Sequence, residues 1–373
     1  MPKAQQEGAI PLRRIDVVVP VRNEALLLRG KLESICSQSF PTELIDVIVV
    51  DSSSDDSVKE VVEEISRKHE ALRVNLLKDR SGRGKYSALN LAFQFCKSDL
   101  LIITDVDVET DNDAFERILS DFKDPRIGAV SAMETVESRF GDVSAYRGLY
   151  NRLRIAESSL DSVIMCESNF SAYRRQLIDQ LPDDTQCDDL ALTTAVLSKG
   201  RRAIYDPRVL FRENQEGFKT RDVLSQKLRR ARANIHGLLA ATAVKSGYSK
   251  TQRRLLLPFE IFLHVIGPLL MALFLVFLVL FGLEPGNASI AVSSGIALGL
   301  MGIIAGSLLN TRSVRGKGLL WNLRMSLNTL KAFLEYNLIL LTALMLVLVQ
   351  GPQTKWDVVR TGERVFKKRL DSS

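Results

Sequence analysis

The sequence predicts an α/β protein in two parts: a three-layer domain on a largely parallel sheet, then a C-terminal transmembrane helical region. Three observations carry this. Continuous β-branched runs alternate with helical spacing through the first third; polar residues collect where those runs end; the last third holds long apolar stretches.

Taken in order, IDVVVPV (15–21) and IDVIVV (45–50) read as strands buried on both faces of a parallel sheet. Between them, Leu27, Leu28, Leu32 and Ile35 have helical spacing, which makes the first unit βαβ. SVKEVVEEISRKH predicts a helix, LRVNLL a strand, KYSALNLAFQFC a helix and DLLIITDVD a fourth strand. Such alternation places ligands at the carboxyl ends of the strands. The residues agree: the first strand ends at Pro20 before VRNEA, the second at Asp51 in DSSSDDS, and the fourth at Asp105 and Asp107.

The chain has 373 residues, with 50 basic against 44 acidic side chains, so nucleic acid is not the first partner to expect. Cys36, Cys96, Cys166 and Cys187 are scattered without metal-type spacing and fit reduced thiols. His69, His236 and His264 are too dispersed for a metal cluster. There is neither a G-x-G-x-x-G after the first strand nor a Walker loop. The N-terminal tail (1–14) contains no apolar core of signal-peptide length, so the domain at 15–232 is expected in the cytoplasm.

A basic juxtamembrane segment (233–254) leads to the membrane region (255–350), where stretches at about 255–283, 288–309 and 332–350 reach spanning length. Residues 219–254 contain ten Lys or Arg and one acid, and residues 310–331 five and none; both belong on the cytoplasmic side. Leu319, Leu320, Leu323 and Leu327 line one face of a helix at about 316–330 that suits the interface, a solvated loop being the alternative. The basic tail (351–373) conflicts with a third crossing. Either the third stretch, with Glu335 and Asn337 near its start, is re-entrant or half-spanning, or the charge rule is overridden.

Two carboxylates one residue apart at a strand exit can converge on a divalent cation such as Mg²⁺, whose other positions go to water and substrate phosphate. In order, VVVPVRNEA, VIVVDSSSDDS, GRGKYSALN, IITDVDV and CDDLAL resemble glycosyltransferase family 2 over about residues 14–232. That resemblance implies the GT-A fold, a Rossmann-like three-layer nucleotide-sugar-binding domain. It also implies a nucleotide-diphosphate sugar donor and Mg²⁺ or Mn²⁺.

Carried over by position, Pro20, Asn23 and Glu24 line the nucleotide, Asp51 hydrogen-bonds the base, and Asp55 stands in the acidic turn that follows. A capped helix is the plain alternative for DSSSDD. Lys85, after Gly84, meets donor phosphate, with Arg80 or Arg83 as substitutes. Asp105 contacts the donor and Asp107 the metal. The family's Glu-Asp pair is Asp188 and Asp189 here, with Asp189 matching the catalytic base and helix capping as the rival role. Gln226 and Arg229 fit a Gln-x-x-Arg-Trp motif of polysaccharide-synthesising relatives, but Arg230 replaces its tryptophan. The departure counts against processive synthesis and leaves Arg229, Arg230 and Arg232 for phosphate of the donor or of an anionic lipid, a plain juxtamembrane basic stretch being the alternative.

The expected activity is metal-assisted, inverting transfer of a sugar to a lipid or lipid-linked glycan acceptor at the cytoplasmic face of the cell membrane. The alternatives are a processive polysaccharide synthase, a lipid-phosphate nucleotidyltransferase, and an inactive membrane scaffold.

Overall fold

The computed structural model describes residues 14–135, 141–167, 169–183, 185–213, 220–244, 246–284, 286–287, 289–290, 292–295 and 319–350. The terminal tails, Asp184 and most of the expected 288–309 span lie outside these residues. Strands β1 (Ile15–Val21), β2 (Ile45–Asp51), β3 (Arg73–Lys78) and β4 (Leu100–Thr104) alternate with helices α1 (Ala25–Cys36), α2 (Ser57–Lys68) and α3 (Lys85–Phe95), within a residue or two of the sequence reading except that β4 ends at Thr104, ahead of the D-x-D residues. β5 (Val108–Thr110), α4 (Ala114–Ser120), β6 (Ile127–Glu134), α5 (Gly141–Leu160), β7 (Phe170–Arg174), α6 (Asp188–Ser198), β8 (Arg202–Glu213) and α7 (Thr220–Thr242) complete the domain.

All eight strands form one sheet in the order β3-β2-β1-β4-β7-β6-β8-β5. β3, β2, β1 and β4 are parallel, and every residue of β1 is buried. Because side chains alternate across a strand, Val17 and Val19 enter one core with α1 and α2, while Val18 enters the other with α3 and α6. The second half departs from a purely parallel sheet: β7 runs antiparallel to both β4 and β6, and β5 antiparallel to β8. Only three residues separate β4 from β5, although these strands are the fourth and eighth in sheet order. So short a link reaches about 15 Å at most, so the sheet must curl. The residues in that link are Asp105, Val106 and Asp107.

The first apolar stretch forms one helix, α8 (Gln252–Leu283). Its start is a reciprocal capping box, Ser249 N–H donating to Gln252 Oε1 and Gln252 N–H to Ser249 Oγ, both at 3.0 Å. Wider π turns at Gln252–Leu256 and Phe262–Ile266 precede Pro258 and Pro268, where an α turn would clash with the i−4 carbonyl. Leu256 and Leu257 belong to the core shared with α3 and α6, so α8 begins inside the soluble domain. Its later part, from Leu269, is apolar and has no buried residue, Leu273 being 66% and Leu280 60% exposed. The expected interfacial helix and third apolar stretch are not separate: a single helix, α9 (Leu319–Gln350), runs through both.

Glu260 and His264, inside the expected first span, are buried, and Glu260 meets Arg154 of α5 at 2.5 Å. Arg154 also pairs with Glu157 at 2.7 Å, and its guanidinium stacks on Tyr150. His264, given no role by the sequence reading, donates from Nδ1 to the Glu260 carbonyl (3.0 Å) and meets Tyr336 of α9 edge-on.

Candidate active site

The β1–β2 side of the site is built by two loops that cross-link. Asn23 sits at φ +56°, a left-handed conformation that asparagine tolerates better than most side chains. There its N–H donates to Ser53 Oγ (2.7 Å) and its Oδ1 accepts the Ser54 N–H (3.2 Å). Buried Asp51 accepts the Ser53 N–H (2.7 Å) and pairs with Lys78 (2.7 Å). Pro20 lies at the end of β1 opposite Val50, and the Glu24 carbonyl starts α1 by accepting the Leu28 N–H. Asp55 differs from its neighbours: it is exposed, and its carboxylate accepts the Ser57 hydroxyl (2.6 Å) and N–H, which hold it below the usual carboxylate range. It tightens the entry to α2, whose N-cap Asp56 makes no side-chain capping bond.

Lys85 is the hub of the site. Gly84, at φ +120°, turns the chain so that Lys85 opens α3, and Lys85 Nζ reaches Asp105 (2.9 Å) and Asp188 (3.1 Å). Burial works against its charge, but Asp105, Asp188 and Asp189 outweigh burial and hold the ammonium well above the ordinary lysine range. Three segments distant in sequence thus meet at one nitrogen. Asp188 and Asp189 occupy the first turn of α6, and neither residue is its N-cap, which is Cys187. The Asp188 carboxylate pairs with Lys85. The Asp189 carbonyl accepts the Thr193 hydroxyl (2.7 Å), which in turn accepts the Cys166 N–H (2.9 Å), fixing this turn against the 163–167 segment.

Asp107 faces a second cluster. Burial, then Asp105 and Glu213, push its carboxyl up to about 7, with Arg230 opposing. Glu213, the last residue of β8, lies opposite Val108 and pairs with Arg230 at 2.8 Å. Arg230, at the position of the missing tryptophan, is therefore engaged by an acid beside Asp107. Behind lies Arg147, paired with Glu134 (2.5 Å) and Glu167. Gln226 and Arg229 lie half-buried on the same helix, α7. Gly237 lets that helix approach α6: a Cβ there would stand 2.8 Å from Leu190 Cδ2 and 3.2 Å from Cys187 Cβ.

Sequence reasoning missed Lys31. It occupies the buried stripe of α1 with Leu28, Leu32 and Ile35, and Nζ donates to the Val108 carbonyl at 2.7 Å. Burial pulls its ammonium down to about 8, with Asp107 and Asp105 opposing. Gln38 continues the clamp, its Nε2 donating to the Asp111 carbonyl and its Oε1 accepting the Phe115 N–H. A lysine at 31, on the stripe at 28, 32 and 35, was the available signal.

A divalent cation fits this donor set. Asp105 and Asp107 are hard oxygen donors, and the crowding that raises Asp107 is what a cation relieves. Among the described residues no group of three His, Cys, Asp or Glu is arranged to hold an ion, so further oxygens would have to come from a bound phosphate or water.

Residues 16–181 match the sequence profile described as glycosyl transferase family 2. Those residues form a family 2 glycosyltransferase domain. Its fold is that of a mannosyltransferase from Pyrobaculum calidifontis solved with GDP-Man and Mn²⁺, with a TM-score of 0.66 and 26% identity over 90% of this chain and 87% of that one. The glycosyltransferase is also 26% identical over 307 residues to the probable glycosyltransferase YdaM of Bacillus subtilis, covering 77% of this chain and 68% of YdaM. A beta-monoglucosyldiacylglycerol synthase of Trichormus variabilis is 21% identical over 203 residues, 51% of this chain and 42% of the synthase.

Proposed function

We propose that this chain is a membrane-bound, inverting glycosyltransferase that moves a sugar from a nucleotide-diphosphate donor to a lipid or lipid-linked glycan acceptor at the cytoplasmic face. The observation that carries the reading is the meeting at Lys85 of Asp105, from the strand edge, with Asp188, beside the candidate base. A donor diphosphate on one side and an acceptor hydroxyl on the other would meet across that lysine.

In this reading the acceptor oxygen attacks the anomeric carbon while Asp189 takes its proton, and the bond from that carbon to the diphosphate breaks with inversion. Lys85 stabilises the departing phosphate, and Asn23 and Asp51 hold the nucleoside. Asp105 and Asp107 would hold a Mg²⁺ or Mn²⁺ ion, which when bound neutralises charge on the leaving diphosphate. The Mn²⁺ in the Pyrobaculum enzyme and the lipid product named for the Trichormus synthase support the metal and the acceptor class. The exposed apolar girth of α8 supports the membrane.

The test is a panel of nucleotide sugars with Mn²⁺ and lipid acceptors, using the purified full chain in lipid. One donor should give a single-sugar, lipid-soluble product of inverted anomeric configuration, lost in Asp189→Asn. Release of diphosphate from a nucleoside triphosphate, or a long polymer as product, would refute this reading in favour of an alternative.

A further inference from the structure

The D-x-D turn has to hold two carboxylates in a fixed relation although it lies outside the strands. It runs from Thr104, the end of β4, to Val108, the start of β5. Two segments grip it, one at each end. Upstream, the Asp105 N–H donates to the carbonyl of Asn169, the residue ahead of β7, at 3.1 Å. Downstream, Val108 lies in register with Glu213, the last residue of β8.

These two holds are joined to each other. The Asn169 side-chain amide donates to Glu213 Oε1, so the residue that takes the Asp105 N–H is clasped to the residue opposite Val108. The same oxygen accepts Arg230 Nη2 at 2.8 Å, which ties the clasp to α7. Glu213 has its side chain only 4% exposed, and it adds to the negative charge that Asp107 meets. A carboxylate is costly at such a place unless donors answer it, and both of these donors come from segments that flank the turn. Among the described residues no third acid is arranged with Asp105 and Asp107 to hold an ion, so the part Glu213 plays there is indirect.

We propose that Glu213 and Asn169 are positioning residues for the cation site: their clasp fixes the D-x-D turn so that the Asp105 and Asp107 carboxylates converge, and Arg230 locks it from α7. Arg230, standing where polysaccharide-synthesising relatives have tryptophan, then acts on the metal side of the site through Glu213. The inference rests on the reading of Asp105 and Asp107 as cation ligands. Groups that orient metal ligands from behind commonly change metal affinity about 10- to 100-fold when removed.

Two measurements on the full chain in detergent test it. Hydrogen exchange read by mass spectrometry, without added metal, reports on the clasp itself. In Glu213→Ala the peptide covering 105–110 should exchange at least about tenfold faster than in wild type, while the β1 peptide keeps its rate. Mn²⁺ alone, followed by the electron paramagnetic resonance signal of the free ion, reports on the site. Glu213→Ala and Asn169→Ala should each weaken Mn²⁺ binding by about tenfold or more, with little change in melting temperature. Should Glu213→Ala fail to fold, Asn169→Ala carries both expectations, since it keeps the backbone carbonyl. Glu213→Gln retains an oxygen for both donors and should bind Mn²⁺ within about threefold of wild type.

An ion held by Glu213 itself would leave Glu213→Gln as weak as Glu213→Ala, and that result overturns the proposal. So does a lower melting temperature with Mn²⁺ affinity unchanged, or unchanged exchange at 105–110. Wild type that takes up no Mn²⁺ refutes the cation reading and the proposal with it, whereas variants that bind as wild type does refute the proposal alone.

Discussion

Two clusters of charge lie a short way apart in this molecule, and they are built on opposite plans. At the sheet edge Asp105, Asp188 and Asp189 gather around Lys85, and burial, then Asp105 and Glu213, push Asp107 up to about 7. At the junction with α8, Arg154 is sealed between Glu157 and Glu260, all three side chains at 2% exposure or less. The first arrangement leaves negative charge for a ligand to neutralise. The second spends its charge internally and fixes α5 against α8. Burial and charge alone therefore do not mark a ligand site; an imbalance reachable from solvent does.

The largest effect separating the two clusters should come from Asp107→Ala. Sugar transfer is expected to fall by at least about 10³-fold, with the melting temperature unchanged or raised. A marked fall in melting temperature would erase the contrast. At the junction the expectation reverses: Arg154→Met should cost about 3 kcal/mol or more of stability by leaving two buried acids without their cation. Combining it with Glu157→Gln and Glu260→Gln should recover most of that loss in thermal unfolding in detergent.

The pH dependence sharpens the same contrast. Burial, together with Glu260, pushes Glu157 up to about 9 although Arg154 opposes it. The folded state therefore keeps a proton that the unfolded chain gives up near 4.5, so this contribution is full below that pH and is lost as pH rises towards about 9. The melting temperature of Glu157→Gln should decline less than that of wild type between pH 5 and 9, measured as a difference of the two curves.

A smaller change is expected where the site is held from behind. Lys31→Met removes the hold on the Val108 carbonyl and should weaken Mn²⁺-dependent binding of a nucleoside diphosphate about tenfold, with little change in thermal stability. Calorimetric titration of both proteins measures this directly. Smallest of all, Asp55→Ala should cost about 1 kcal/mol through its Ser57 contacts and leave transfer nearly intact, in contrast to Asp51→Ala.

What could be read from the chain divides along the same line. Strands, helices and the D-x-D turn are local patterns, and Ile15–Val21 or Asp105 and Asp107 announce themselves within a few residues. Pairings made by the curl of the sheet do not: nothing near Glu213 points to Asp107, and Arg230 read as free for phosphate until β8 brought an acid to it. Glu260 and His264 were hidden by the apolar residues around them, and Lys31 by the assumption that a lysine lies outward.

The capped turn at Ser249 also decides where this chain can be cut. Leu256 and Leu257 plug the same interior that Leu190 and Val196 of α6 fill, and Asp161 grips the turn through Ser249 and Gln252. Trimming the polypeptide ahead of residue 249 would uncork that interior while leaving Arg154 facing an empty socket. A soluble fragment worth crystallising has to keep the helix as far as Ile266.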